Sequence, residues 1–276
     1  MITKKEMVVQ SNDIVEASYR LSLIEQRIIL YAIYLRREIG QETANTNQKS
    51  IWEYTPVYID VKSFCKRFPD MDESNAYGQL KDAAKMLYSR SIGFIDKTKK
   101  GNERITDYRW TFQSSYVKKE AYIEIDFTPR VIEHITRLEK EFTSYDLVKV
   151  SRISSAHAVR IFQMLTQYKD IGRREISLND LREMLMIGDD EYTLTANFVA
   201  RVIDPAVKQI NAHTDIKVSY EPVKTSRAIT GFIFKIKDKT KAKPEDSEPK
   251  PKAEPKPKKR QDNHTRDIDF DPNMEF

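Results

Sequence analysis

Apolar residues recur every three or four positions in the first part of the chain, which predicts amphipathic helices. The first of these helices begins at Ser22, because Ser22 and Glu25 have the spacing of a capping box. Its apolar face consists of Ile24, Ile28, Tyr31, Ala32 and Leu35. This stripe repeats with the period of an α-helix over about three turns, so a helix that is buried on one side is expected there.

Two more helices and four strands are predicted in the same half. A short strand is expected at 57–59, after which Asp60 is placed to cap a brief helix that Pro69 ends. A longer helix is expected over about 72–88. Period-two alternation then predicts three strands, with apolar positions at Ile92 and Phe94, then at Tyr108, Trp110 and Phe112, then at Ile123, Ile125 and Phe127.

The second half repeats this order of elements. Helices are predicted after Ser154 or Ser155, after the cap residue Ser177, and over about 195–212. Gly188 is expected to end the middle helix. A short strand at 175–176 and a closing hairpin from Ile216 to Ile236 complete the unit. Helix, short strand, helix, helix and hairpin is the order of a winged helix, a helix-turn-helix with a β-hairpin wing.

The repeated order predicts an α+β fold of two tandem winged-helix domains with a disordered C-terminal tail. We expect the first domain over 1–143, the second over 144–237 and the tail over 238–276. The tail holds six of the eleven prolines and ten residues of each charge, so it cannot form a core. Its last segment, 267–276, alternates acidic residues with Ile and Phe. Both a solvated end and a short motif that docks on a basic, apolar groove of a partner protein fit that pattern.

Charge and composition narrow the classes of function. The 276 residues carry 47 Lys and Arg against 42 Asp and Glu, and the whole net charge of +5 lies in residues 1–237. That balance is compatible with a nucleic-acid partner. Neither of the glycine motifs that cradle nucleotide phosphates occurs in the sequence. The single cysteine, Cys65, the lack of a signal-peptide core and the lack of any apolar run near ~18 residues predict a cytoplasmic protein.

Winged helices bind DNA by placing their last helix in the major groove, which is ~12 Å wide, although some of them dock proteins instead. The architecture and the positive charge together favour double-stranded DNA as the partner. Two such units in one chain could read two adjacent faces of the groove without a second subunit.

Several stretches, in order along the chain, resemble the iteron-binding plasmid replication initiators of the RepE, RepA and RepB type. They are VQSNDIVEASYRLS at 9–22 with Glu25-Gln26-Arg27, FTSY at 142–145, SAHAVRIF at 155–162 and RVIDPAVKQIN at 201–211. The resemblance spans about residues 8–237 and leaves out the charged tail.

The resemblance implies two winged-helix domains that bind directly repeated origin sites, the iterons. It also implies opening of a neighbouring AT-rich segment and recruitment of the host initiator and the replicative helicase. Proteins of this type act on the repeats as monomers and repress their own promoter as homodimers, after remodelling of the first domain.

Candidate DNA contacts in the second domain lie on the predicted helix 195–212 and on the hairpin turn that follows it. The exposed helix positions are Thr195, Asn197, Arg201 and Lys208. Arg pairs with guanine and Asn with adenine, although Asn197 also fits a helix cap and Arg201 a solvated charge. Val199 and Ala200 stand where some relatives have arginines, and Asp204-Pro205 predicts a kink. Lys224 and Arg227 in the wing are candidate phosphate contacts.

The first domain offers a parallel set. The predicted helix 72–88 presents Asn75, Tyr77, Lys81 and Lys85 away from its apolar stripe. Tyr77 fits a surface aromatic, a dimer contact or a DNA contact equally well. Lys97, Lys99 and Lys100 cluster at a predicted hairpin tip and are candidates for a second phosphate contact, with plain solvation as the alternative.

The strands over 104–127 carry more large apolar residues than one sheet face needs, which predicts a dimerisation surface. Its members are Tyr108, Trp110, Ile123 and Ile125. Packing of these side chains against the first helix would explain the same pattern.

Enzymatic chemistry is not predicted. Some plasmid initiators nick DNA with a tyrosine beside a metal held by a His-x-His pair, but the four histidines, at 134, 157, 213 and 264, include no such pair. We expect packing roles for Cys65 and His157, and neither a metal nor a cofactor. The alternative functions are a winged-helix transcription regulator without a role in replication and, with less support, a DNA-nicking enzyme.

Overall fold

The computed structural model describes residues 6–43, 55–135, 138 and 141–241. The predicted disordered tail, apart from its first four residues, and the segment 267–276 lie outside these residues. The elements of the first half are β1 (Met7–Ser11), α1 (Asn12–Glu16), α2 (Leu23–Thr43), β2 (Val57–Asp60), α3 (Val61–Arg67), α4 (Glu73–Ser89), β3 (Ser91–Lys97), β4 (Glu103–Arg109), β5 (Thr111–Val117), β6 (Tyr122–Phe127) and α5 (Pro129–Glu133). Those of the second half are β7 (Phe142–Asp146), α6 (Leu147–Val150), α7 (Ala156–Thr166), β8 (Arg173–Ser177), α8 (Leu178–Met184), α9 (Thr195–Phe198), a π-helical turn (Val199–Ile203), α10 (Asp204–His213), β9 (Ile216–Thr225) and β10 (Ala228–Asp238).

The predicted helix starts are confirmed by their hydrogen bonds. In the capping box before α2, the Ser22 N–H donates to Glu25 Oε2 at 2.5 Å and the Glu25 N–H donates to Ser22 Oγ at 3.3 Å. Side chains of Asp60, Asp72 and Ser177 accept backbone N–H groups in the first turns of α3, α4 and α8. These caps satisfy donors that a helix start otherwise leaves unpaired, so local sequence fixes where each helix begins.

The first winged helix consists of α2, α3 and α4 packed on a three-stranded antiparallel sheet in the order β2-β6-β5. Its wing is the β5–β6 hairpin. The β3–β4 hairpin forms a separate two-stranded sheet, which contacts the N-terminal segment through a bridge between Ser18 and Gly93. This unit therefore carries an extra hairpin between its last helix and its wing.

The second winged helix consists of α7, α8 and the helix from Thr195 to His213, packed on the antiparallel sheet β8-β10-β9. The long β9–β10 hairpin is its wing. Gly231 in β10 faces the backbone of β8, where a Cβ atom would lie 2.8 Å from the Ile176 carbonyl oxygen. This close approach requires glycine.

A strand pair that the sequence did not predict links the N-terminal segment to β7 at the start of the second half. β1 pairs with β7 in antiparallel register from Met7↔Asp146 to Ser11↔Phe142. The predicted boundary between residues 143 and 144 lies inside β7. Apolar side chains from both winged helices form one continuous core, so residues 6–241 make up a single compact unit.

The structure corrects the predicted dimerisation surface. Trp110, Ile123 and Ile125 are fully buried in the core of the first domain, and Tyr108 is half-buried beside Phe94. The Trp110 ring meets the Tyr19 ring edge-on, with 5.1 Å between centroids. Side chains of the same chain cover Trp110, Ile123 and Ile125 completely and Tyr108 in part, whereas the prediction assumed an uncovered face.

Candidate nucleic-acid interface

The candidate DNA-reading helix of the second domain runs without a break from Thr195 to His213. The predicted inward positions are confirmed, since Phe198, Val202, Ala206 and Ile210 are buried. Ile203 is buried as well. On the opposite side Asn197, Arg201 and Lys208 are exposed, and Thr195 is half-buried. Leu194 occupies the cap position, so Asn197 lies in the first turn and is not the cap. Its side chain is therefore available for a ligand.

The predicted kink at Asp204-Pro205 takes the form of the π-helical turn just before it. Proline lacks an N–H group and its ring clashes with the carbonyl four residues earlier, so a wider turn removes both conflicts while the helix continues. Val199 is half-buried against the core and Ala200 is exposed. Of these two positions, which lack the arginines of some relatives, only Ala200 has an open path to a thymine methyl group.

The wing of the second domain is tied to this helix. The Tyr220 hydroxyl of β9 donates to Asp204 Oδ1 at 2.6 Å, and burial together with this carboxylate raises the pKa of Tyr220 to about 12. Asn211 exchanges two hydrogen bonds with the backbone of Val218, at 2.6 and 2.8 Å. Lys224 and Arg227 are both exposed near the tip of the wing. Helix and wing thus form one rigid element with cations on each part.

The loop before the helix is held by two arginines that sequence reasoning missed. The Arg182 guanidinium donates to the carbonyl oxygens of Gly188 at 2.6 Å, Glu191 at 2.8 Å and Tyr192 at 3.3 Å. Arg20, from the first domain, donates to both carboxylate oxygens of Glu191 at 2.7 and 2.8 Å. The sequence could not reveal the contact between Arg20 and Glu191, because the two residues lie 171 positions apart.

In the first domain α4 follows α3 as the helix 195–213 follows α8, so α4 occupies the corresponding position in its winged helix. Asn75 and Lys85 are exposed on it, whereas Lys81 and Tyr77 are half-buried. Tyr77 packs against the core, which accounts for this side chain without a ligand. Gly78 lies on the exposed face, and a Cβ atom there would meet no atom within 4 Å.

Two lysines of the first wing were also missed. Lys118 and Lys119 are exposed at the turn between β5 and β6, the hairpin equivalent to the DNA-facing wing of other winged helices. The candidates Lys97, Lys99 and Lys100 lie as predicted at a hairpin tip, where Gly101 adopts φ +84°, but this tip belongs to the extra β3–β4 hairpin. The adjacent lysines between two alternating strands were a signal that could have identified the wing.

Three of the four stretches that resemble the initiator family lie at the joint between the domains, whereas the fourth, 201–211, belongs to the helix that carries Arg201 and Lys208. Arg160 is fully buried and donates to the Tyr19 hydroxyl at 2.6 Å and to the carbonyl oxygens of Val15 at 3.1 Å and Ala17 at 2.9 Å. Its guanidinium also lies 3.8 Å from the centroid of the Tyr19 ring. Burial lowers the pKa of Arg160, and the Tyr19 hydroxyl partly opposes that effect. These contacts fix helix α7 against the segment 15–19.

Cys65 has the packing role that the sequence favoured, whereas His157, for which packing or capping was expected, is half-buried. Cys65 is buried, and burial raises the pKa of its thiol. Burial lowers the pKa of His157, and the charge of Arg20 adds to this effect. Among the residues that the structure describes, no group of three or more His, Cys, Asp or Glu side chains could hold a metal ion. Within the same residues, every helix is too short or too polar to cross a membrane.

Comparison with known proteins gives consistent results. Residues 7–166 match the family described as "Initiator Replication protein, WH1", and residues 177–236 match "Initiator Rep protein, WH2". A replication initiation protein of Escherichia coli is 23% identical over 236 residues, which cover 84% of this chain and 69% of that protein. An uncharacterized 27.6 kDa protein of Escherichia coli is 22% identical over 86% of this chain and 97% of its own length.

A solved structure has the same fold. The crystal structure of Pi initiator protein in complex with iteron DNA superposes with a TM-score of 0.64 at 20% identity, covering 85% of this chain and 98% of that one. The predicted pair of winged-helix domains is thereby confirmed. The matches to both domains show that this chain belongs to the initiator replication protein family.

Proposed function

We propose that the chain is a plasmid replication initiator that binds repeated iteron sites in double-stranded origin DNA. The observation that carries this proposal is the presence of two helix-and-wing units, each with exposed cations, within one compact body. The fold shared with Pi initiator protein, which was crystallised with iteron DNA, supports it. Opening of the origin, recruitment of the host initiator and helicase, and repression of its own promoter are further parts of the proposal.

Selection of bound sequences from a random duplex library at two salt concentrations tests this proposal. We expect one motif of about 20 base pairs, since two reading helices on adjacent turns of the groove span more than one ~10 base-pair repeat. Recovery of no motif, with binding that collapses as salt rises, would reduce the interaction to phosphate attraction and contradict the proposal.

Substitutions then separate base reading from phosphate contact. We expect Arg201→Ala to reduce the preference for the selected site over random duplex about tenfold, because one bidentate contact to guanine discriminates by ~1–3 kcal/mol. Lys208→Ala should weaken binding to all duplexes alike and lower the salt slope by about 1. Arg37→Ala, at an exposed position of α2, is the matched control. If Arg201→Ala prefers the selected site over random duplex as strongly as the unaltered protein does, the helix 195–213 is not the element that reads the bases.

Dimerisation, which the buried strands cannot provide, has another surface in the first domain. In the described part of the chain β5 pairs with β6 alone, so its other edge is open. Beside that edge Tyr88 and Phe112, each about half exposed, line a cavity of about 380 Å³. An open strand edge next to an apolar patch is a typical site for pairing with a second chain. Lys85 also lines this cavity, so dimerisation here would cover part of α4.

We expect Phe112→Lys to shift the sedimentation profile toward the monomer without weakening site binding by that monomer. Ile105→Lys, at an exposed position on the separate β3–β4 hairpin, is the matched control. A dimer that persists in Phe112→Lys would exclude this patch as the interface.

The alternative function, a transcription regulator without a replication role, predicts the same DNA binding, so genetics must separate the two. An initiator supplied in trans maintains a plasmid that carries only its origin, whereas a repressor does not. We also expect no strand cleavage when the protein is incubated with divalent metal and supercoiled origin DNA, and cleavage would favour the nicking enzyme.

A further inference from the structure

One ion pair connects the first domain to the DNA-reading part of the second. Arg20 lies between α1 and α2, and Glu191 lies in the loop between α8 and α9. The guanidinium meets the carboxylate in a bidentate arrangement, with N–O distances of 2.7 and 2.8 Å. Two parallel hydrogen bonds fix the orientation of both groups, which a single contact would not do.

Glu191 also contacts the loop in which it lies and the arginine that packs near the following helix. Its Oε2 also accepts the Gly188 N–H at 3.2 Å, which closes the loop 188–191 on itself. The carbonyl oxygen of Glu191 accepts from Arg182, whose guanidinium lies 5.7 Å from the centroid of the Phe198 ring. Phe198 is the first buried side chain of the reading helix. A chain of direct contacts therefore leads from Arg20 to the start of that helix.

Arg20 balances part of the negative charge of the loop 188–191. Asp189, Asp190 and Glu191 are consecutive carboxylates just before the helix end that approaches DNA. The hydrogen bonds from Arg20 are the main cause that lowers the pKa of Glu191. Without the guanidinium, three negative charges in a row would repel one another and would also repel the phosphate backbone.

We propose that Arg20 is a positioning residue for DNA reading, through which the first domain holds the second domain's reading helix in its binding orientation. This inference rests on the proposed function, since it assumes that the helix 195–213 reads the origin site. It makes sequence recognition by the second domain depend on a side chain of the first.

Binding of the full chain to the selected duplex and to a random duplex tests this inference, with fluorescence anisotropy at one fixed salt concentration. We expect Arg20→Ala to weaken binding to the selected site about two- to fivefold, the range of an exposed ion pair, and to leave random-duplex binding nearly unchanged. Arg20→Glu should weaken site binding about tenfold, because it adds a fourth negative charge to the loop.

The charge swap gives the decisive comparison. Arg20→Glu combined with Glu191→Arg should regain most of the lost site affinity, because the pair is restored with its charges exchanged. Arg37→Glu, on the exposed face of α2, makes the same change in net charge away from the loop and is the control. Thermal unfolding of each variant shows that the fold is retained, and Glu191→Gln replaces any variant that does not fold.

Equal losses on both duplexes, matched by Arg37→Glu, would mean that Arg20 acts only through net charge and would overturn the inference. Failure of the swap to regain affinity would overturn it as well. If the unaltered protein itself shows no preference for any site, the proposed function fails first, and that result is visible before any variant is compared.

Discussion

Both terminal nitrogens of the buried Arg160 donate hydrogen bonds to oxygens of the first domain, namely the Tyr19 hydroxyl and the carbonyls of Val15 and Ala17. The same guanidinium donates to Gln163 Oε1 at 3.2 Å, and Gln163 in turn donates to the Tyr145 hydroxyl at 2.9 Å. A buried charge is stable only when its hydrogen bonds are satisfied, so this residue is sensitive to any change of chemistry.

We predict that Arg160→Met lowers the free energy of unfolding by about 2–4 kcal/mol, because the carbonyl oxygens of Val15 and Ala17 lose their donor inside the protein. Urea denaturation measures this change. Arg152→Met removes an exposed arginine a few residues away and should cost less than about 0.5 kcal/mol. If Arg160→Met is as stable as the unaltered protein, the cost of burying the Arg160 charge offsets the free energy that its hydrogen bonds contribute.

Two histidines make stability depend on pH. Burial lowers the pKa of His134 and of His157 below the ordinary value of 6.5, with Arg130 adding to the shift of His134. His134 stacks on Phe94, with 4.5 Å between ring centroids, and lies 2.8 Å from Ser11 Oγ through Nδ1. The folded state thus binds fewer protons than the unfolded state between the lowered and the ordinary pKa values.

The sign of the effect follows from this difference in bound protons. The free energy of unfolding should be highest above about pH 6.5 and should fall as the pH drops through the lowered pKa values. Urea denaturation at several pH values measures the slope. The double variant His134→Gln, His157→Gln should reduce the slope of unfolding free energy against pH. The variant His213→Gln, at an exposed position, should leave that slope unchanged. An equally steep slope in the double variant would assign the pH dependence to carboxylates.

At the scale of elements, we expect the first wing to make a separate contribution to DNA binding. Lys118 and Lys119 project from the β5–β6 turn, and each cation that meets a phosphate releases a counterion. We predict that the double variant Lys118→Ala, Lys119→Ala makes the slope of log affinity against log salt less negative by about 1.8, at ~0.9 per phosphate contact. The ranking of duplex sequences should not change, because phosphate contacts carry no sequence information.

The extra hairpin provides the comparison for that experiment. Lys99→Ala with Lys100→Ala removes the same charge from the β3–β4 tip, and the two slopes together show which hairpin lies along the DNA backbone. A wing variant with an unchanged slope would exclude the β5–β6 turn from the interface.

The elements that the sequence predicted correctly are those whose signals are local. The capping box at Ser22 and Glu25 and the cap at Ser177 depend on residues within one helical turn, and both helices begin there. Periodicity located the strand that holds Ile123, but Trp110 lies at the bend between β4 and β5 and not within a strand. Periodicity also could not show whether the chain itself covers these apolar side chains. It therefore predicted an interface where the structure has a core.

Nonlocal contacts explain the other differences. β1 was not predicted because its five residues become a recognisable strand only beside β7. The pairing of Arg20 with Glu191 likewise depends on how two domains meet. The site was predicted in part, since Asn197, Arg201 and Lys208 are exposed on the expected helix, whereas the arginines that hold its loop and the lysines of the first wing were missed.

At the scale of the whole molecule, one core and a buried polar joint couple the two winged helices. We predict that residues 6–241 unfold in a single transition, with calorimetric and van't Hoff enthalpies that agree. Arg160→Met should shift this transition to lower temperature without splitting it. Two resolved transitions in the unaltered protein would show that the joint is weaker than either domain.

The pairing of β1 with β7 also has a consequence for synthesis of the chain on the ribosome. Asn12 and Thr143, which meet through a hydrogen bond of 2.8 Å beside these strands, are 131 residues apart. At ~5–20 residues per second, the first strand emerges about 7–26 s before its partner exists. During that interval the backbone N–H and C=O groups of β1 have no partner strand with which to pair. Slow codons between the two strands would lengthen the time for which this unpaired strand edge is exposed to other chains.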